Sequence, residues 1–296
     1  MGSMGHQGLF AAEPGASPHI FDVSSEVYEI LNESVQKRAV ILDTAGIRGT
    51  RSHSEERTKA GLVEIGGSFV INPSPADLDL WLPRILGAAE VADLFDVAET
   101  LPPFGLLFER VAEQFQYTDC KVNSATFRAR AGELLELEIN VMGLAEVIGT
   151  PFPAITPGIA ANNAPYAFSE AEITLVSGAR ICVDFEITID NQLRRRFSNS
   201  LTATDLTAGD RIVTCKFKTP YTSSELGLYA QATAGAAGTV VFTNGTISTT
   251  ITLGVIQFPD VTPVISDKDE IFLQLEGIAR MSGSTADIAV TNDSLV

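Results

Sequence analysis

The most regular feature of the chain is a two-residue alternation of apolar and polar positions. Leu135, Leu137, Ile139 and Val141 alternate with Glu136, Glu138, Asn140 and Met142. Ile181, Val183, Phe185, Ile187 and Ile189 alternate with Cys182, Asp184, Glu186, Thr188 and Asp190. Successive side chains of a strand point to opposite faces, so each run predicts a strand with one buried and one wet face, typical of antiparallel sheet. Val63, Ile65, Gly67, Phe69 and Ile71 predict another strand. Ile271, Leu273 and Leu275, then Ile288 and Val290, predict the closing ones. Asn244-Gly245, between VVFT and TISTTITL, predicts a hairpin whose type I′ turn needs positive φ at both central positions.

One stretch has a different period. Ser74 is placed as an N-cap, Pro75 opens the first turn, Gly87 stands just past the end, and Leu78, Trp81, Leu82 and Ile85 share one face. Pro83 argues against one unbroken helix, because an interior proline lacks the amide donor. Ser24 to Val40 is compatible with a short amphipathic helix or an extended lead-in. Residues 1–22, rich in Gly, Ala and Pro, read as a flexible N-terminal arm with little structure of its own. Residues 43–60 carry almost no apolar side chains and predict a long exposed loop. The main domain is expected over 23–293, with a possible internal boundary in the Pro- and Gly-rich stretch 149–168 and a short tail at 294–296. The fold class expected is mainly β: an antiparallel β-sandwich with a flanking α-helix and long loops.

Charge narrows the function. Among 296 residues, 37 are acidic and 20 basic, a net of −17. Tight binding to nucleic acid or anionic membranes needs clustered Lys and Arg, so it is not expected, although DNA can slide past such a surface. Cys120, Cys182 and Cys215 are odd in number and far apart, and read as free core thiols in a reducing compartment. No apolar run approaches the ~20 residues that span a bilayer, and the N-terminus lacks the basic flank and apolar core of a signal peptide. His6, His19 and His53 fall in the arm or the polar loop, where a catalytic base is not expected. Gly46-Ile47-Arg48-Gly49 has the GxxG form, but no helices flank it, and turn geometry is the simpler use of its glycines. No catalytic, cofactor-binding or metal-ligating constellation emerges.

Two charged features remain. Arg194, Arg195 and Arg196 follow a strand, as either a solvated turn or a contact between subunits of an acidic assembly. Glu136, Glu138, Asp184 and Glu186 occupy the wet positions of the two long alternating runs, for which a solvated face is the default.

The order of several segments resembles the tail tube, or major tail, protein family of long-tailed (siphovirus-type) bacteriophages. These are GIRGTRS at 46–52, GGSFVINPSPADLDLWLPRILGA at 66–88 and FQYTDCKVNSATFRARAGELLELEINVMG at 115–143. They continue with PYAFSEAEITL at 165–175, ITIDNQL at 187–193 and LTAGDRIVTCKF at 206–217. The resemblance implies a structural, non-enzymatic virion protein without cofactor, assembled in the host bacterial cytoplasm. It implies self-assembly into hexameric rings whose inner sheets join into a ring-shaped barrel, stacked as the conduit for genome ejection. Implied partners are identical subunits, tail terminator, tail tip and tape measure proteins, while DNA crosses the lumen without specific binding. On this reading Arg48, Arg51, Arg57 and Arg194–Arg196 are candidates for contacts between rings. Glu136, Glu138, Asp184 and Glu186 are candidates for the lumen wall. The competing class, a carbohydrate- or receptor-binding β-sandwich, calls for clustered exposed aromatics, and the one tryptophan lies on the helix apolar face.

Overall fold

The computed structural model describes residues 8–22, 25–44, 46–47, 49–151, 164–176, 178–222, 234–259, 262–263, 265 and 270–294. Strands are numbered in chain order. The larger sheet runs, in antiparallel neighbours, through β4 (Gln36–Asp43), β5 (Thr58–Ile71), β9 (Glu136–Gly143), β8 (Gln114–Arg130), β13 (Asp184–Asp190), β16 (Ile212–Pro220) and β19 (Phe272–Arg280). The facing sheet runs through β12 (Gly178–Arg180), β11 (Ala171–Leu175), β17 (Ala236–Asn244), β18 (Ile247–Gln257), β20 (Ile288–Asp293) and β6 (Leu94–Phe95). Odd-numbered residues of β9 and β13 turn inward. Phe185 of β13 meets Phe242 of β17 at 5.9 Å between ring centroids, and Phe242 meets Tyr166 at 5.2 Å. Interdigitation of alternate residues between two sheets is what defines a sandwich.

Two long strands change sheets. Gln114–Cys120 of β8 belongs with β10 (Ala145–Ile148) and with β7 (Phe104–Glu109), which pairs β1 (Leu9–Pro14) and through it β2 (Glu26–Tyr28). Its second half pairs β9 and β13. An irregularity between Val122 and Ser124, beside Asp119 at φ 49°, supplies the bend. β18 leaves β20 after Leu253 and pairs β19 from Val255. Gly254 makes this possible, because a Cβ there would lie 2.4 Å from the Arg280 carbonyl oxygen.

Helix α1 (Pro75–Leu86) begins with a full capping box between Ser74 and Asp77 and ends on Gly87 at φ 98°. It lays Trp81, wholly buried, against Phe69, Tyr28 and Phe104 at 5.1, 5.2 and 5.7 Å. Arg84 is buried too, its guanidinium over the Trp81 ring and its charge met by Glu26 at 2.6 Å. Asn191 donates to the carbonyls of Ile85 and Val122, and Asn292 donates to that of Pro75, so buried amides pin both ends of the helix.

Several expectations change here. The first 22 residues are not uniformly unstructured: Phe10, Ala11 and Ala12 are fully buried in β1, a short apolar run masked by the Gly and Pro around it; residues 1–7 lie outside the described ones. The stretch up to Val40 is extended where described, in β2, β3 (Asn32–Glu33) and β4. Pro83 sits late enough in α1 that the helix continues unbroken to Leu86. Ile181 is 80% exposed because the alternation slips between Cys182 and Phe185, and β13 starts only at Asp184. The predicted hairpin forms one residue later: Asn244 pairs Ile247, and of the two loop residues Gly245 alone has positive φ, the pattern of a type II′ turn. Most of 149–168 lies outside the described residues.

Candidate functional site

The polar face of the larger sheet carries a charge pattern built by register. Directly opposed residues run Glu136 on β9, Arg128 on β8, Glu186 on β13, Lys216 on β16 and Glu276 on β19. The signs alternate across five strands. The next rung runs Arg130, Asp184 and Lys218, then Gln274. On the other side Glu138 is followed by Thr126, Thr188 and Thr214, with the Thr126 and Thr188 hydroxyls 3.0 Å apart. Opposite charges directly across a strand pair attract, so Glu136, Asp184, Glu186 and Glu276 each have a counter-charge set opposite by register.

Side-chain geometry follows the register. Arg128 Nε donates to Glu136 at 2.7 Å and Arg128 Nη1 lies 3.7 Å from Glu138. Lys216 Nζ donates to Glu186 at 2.8 Å. The Glu136 hydrogen bond is the main cause holding Arg128 above its usual pKa, and the Glu186 bond does the same for Lys216. Lys218 Nζ stands 4.5 Å from the centre of the Phe272 ring. The four predicted carboxylates are therefore on one face, half-exposed, and interleaved with four cations that the sequence reading did not single out. Their signal was present in TFRAR and CKFK, where each cation falls at the polar position of a strand.

A small hairpin folds over one end of this face. β14 (Arg194–Arg196) pairs β15 (Asp205–Thr207), and Lys121 Nζ donates to the Leu206 carbonyl at 2.8 Å. Arg195 is not in a solvated turn: its Nη2 donates to the Ile65 carbonyl at 2.7 Å and Nη1 lies 4.0 Å from Glu64. Arg196 lies 3.9 Å from Asp205, and Arg194 is exposed. Arg51 and Arg57 are exposed in the loop between β4 and β5, far in sequence from the β14–β15 hairpin, and Arg48 lies outside the described residues.

His19 departs from its expected place in an unstructured arm. Its side chain is buried against Gly105, Nε2 accepts the Asp119 amide at 3.2 Å, and burial lowers its pKa despite the nearby Asp119 and Glu13. No described hydroxyl or thiol hydrogen-bonds to the ring, and Nδ1 has no partner among the described residues. The three cysteines are buried, and desolvation pushes the Cys215 thiol up to about 12 and the Cys120 thiol higher still. Among the described residues no group of three His, Cys, Asp or Glu side chains is placed to hold a metal ion. No described helix is long and apolar enough to cross a membrane. Trp81, which a sugar-stacking platform would need at the surface, is inside.

The family described as phage tail tube protein matches residues 41–279, well over half of the chain. Nothing among curated proteins matches it.

Proposed function

Because this chain belongs to the phage tail tube protein family, we propose that it forms hexameric rings that stack into the tube of the virion tail, with the charge-laddered face lining the channel through which the genome leaves. The observation that carries this reading is the ladder. Six carboxylates (Glu136, Glu138, Asp184, Glu186, Asp190 and Glu276) share the face with six cations (Lys121, Arg128, Arg130, Lys216, Lys218 and Arg280), so these five strands present no net charge. A duplex in such a channel meets cations interleaved with carboxylates and no purely basic cluster, so phosphates pass without being trapped. Hydrogen-bonding the larger sheets edge to edge closes a barrel and removes free edges.

The loop between β4 and β5, with Arg48, Arg51 and Arg57, serves contact between rings in this reading. Arg194 and Arg196 are the members of the other basic run left facing outward. Tail terminator, tail tip and tape measure proteins are the expected partners, and assembly in the host cytoplasm is expected. Negative-stain imaging of the purified protein across a range of concentrations, with and without tail tip, tests the reading. Rings and hollow tubes are expected, and a strictly monomeric species throughout would refute it.

A further inference from the structure

His19 is a buried titratable group that neither the charge ladder nor the core explains. It lies in residues 15–22, which lead from β1 towards β2 and precede the residues that match the family. Within this stretch Phe21 is half-buried and the other side chains are exposed, yet the His19 side chain is only 1% accessible. Its ring lies against β7, where a Cβ on Gly105 would stand 2.5 Å from the His19 Cγ. Three hydrogen bonds staple the same few residues to β8. Asp119 Oδ1 accepts the Ser17 amide at 2.8 Å, and the Asp119 amide donates to His19 Nε2 at 3.2 Å. Gln116 Nε2 donates to the His19 carbonyl at 3.4 Å.

This geometry suits only the neutral ring. Because Nε2 accepts, the single proton sits on Nδ1, which is buried without a partner among the described residues. A second proton has to go on Nε2, where it points at the Asp119 N–H. The charged ring then has two donors and no acceptor within hydrogen-bonding distance of either. The carboxylates that face it are Asp119, 3.9 Å away on β8, and Glu13 on β1, while β7 meets it with the uncharged Gly105. Both carboxylates are already engaged: Asp119 Oδ1 holds Ser17, and Glu13 Oε2 accepts the Ser25 hydroxyl at 2.7 Å. Turning Asp119 towards a charged ring gives up the Ser17 bond, so protonation breaks one staple or the other.

We infer that residues 15–22 are an acid-released strap, held over the outer face of β7 and β8 while His19 is neutral and freed when it is protonated. Release is local, because both ends are anchored by other means. β1 pairs β7 along six residues with Phe10 buried, and β2 is tied to α1 by Glu26 on Arg84 at 2.6 Å. Burial outweighs the two carboxylates and lowers the His19 pKa. The strap is therefore closed at neutral pH and opens as pH falls through the folded value. The inference concerns a single copy and does not depend on the tube reading.

Hydrogen exchange of the full chain at pH 7.5 and pH 5, corrected for the intrinsic pH dependence of amide exchange, tests it. The Ser17 and Asp119 amides should lose protection several-fold at pH 5, and by no more than about thirtyfold, the limit of ten per pH unit below the unfolded value of about 6.5. The amides of β13 should keep theirs. His19→Gln should abolish the difference between the two pH values, and Gly105→Ala, which drives a methyl into the ring, should open the strap already at pH 7.5. Equal protection of Ser17 and Asp119 at both pH values overturns the inference. So does a loss that persists in folded His19→Gln or spreads to β13, and so does a folded Gly105→Ala variant that keeps the strap protected. If Gly105→Ala does not fold, the comparison with His19→Gln decides alone.

Discussion

Neutralising carboxylates is a sharper probe of the ladder than inverting them. Replacing all four predicted residues by lysine would set like charges directly opposite each other, for instance position 186 against Lys216, and fold and function would change together. The variant Glu136→Gln, Glu138→Gln, Asp184→Asn and Glu186→Gln keeps shape and moves the face from 0 to +4 per copy. Its cost to folding is small. The Arg128–Glu136 and Lys216–Glu186 side chains are 36 to 48% exposed, and such pairs contribute about 0.2–1 kcal/mol each. Assembly should therefore survive while Arg128, Arg130 and Lys218 lose their counter-charges and Lys216 keeps only Glu276. Each cation that then meets a phosphate adds about 0.9 to the slope of log affinity against log salt. Two such contacts give a slope near −1.8, or about a twelvefold gain between 200 and 50 mM salt by the same relation. Particles carrying the variant should eject DNA more slowly at low salt and recover at high salt, and variant tubes should retain short duplexes that the parent releases. Unchanged ejection at low salt, or a structure of the assembled tube with these side chains on its outer surface, would refute the reasoning.

Other expectations concern the fold that holds the ladder. Trp81→Ala should cost about 3–5 kcal/mol, read as a lower denaturant midpoint, because Trp81 is wholly buried on the inner face of α1 among four aromatic rings. Ser74→Ala removes the hydroxyl that accepts the Asp77 amide, while the backbone N–H of residue 74 still donates to the Asp77 carboxylate, and should cost about 1 kcal/mol without altering assembly. Gly254→Ala drives a Cβ into the Arg280 and Ala286 carbonyls and should be far worse than alanine at an exposed glycine such as Gly283, a contrast that thermal unfolding would show. His19, whose folded pKa is lowered by burial, binds a proton more readily when unfolded. Its contribution is therefore complete above the unfolded value of about 6.5 and lost as pH falls below that through the folded value. His19→Gln should flatten this part of the stability profile between pH 7 and 5, and an unchanged slope would remove His19 from the account.

The sequence made the strands of the sandwich legible where one face is apolar and the other wet. Glu136 to Gly143 and Asp184 to Asp190 alternate because a sheet residue in one row is buried and its neighbour is not. The helix was legible because Ser74 and Gly87 mark both ends. β1 was not, since three buried residues among glycines and prolines give no period to read. β4 stays undecided between helix and extended lead-in for the opposite reason: its apolar residues are exposed, so no buried face imposes an alternation. What makes the carboxylates a candidate site is a property of pairing between strands. Arg128 stands 8 residues from Glu136 but 58 from Glu186, and only the register of β8 with β13 brings the second pair together. A one-residue slip in that pairing would send every charge to the core face, so the buried Phe127, Ile187 and Cys215 on the other side are what keep the ladder in order. The charge pattern is thus enforced from behind, by apolar residues that never touch it, and a reading of polar positions alone sees the acids without the cations set between them.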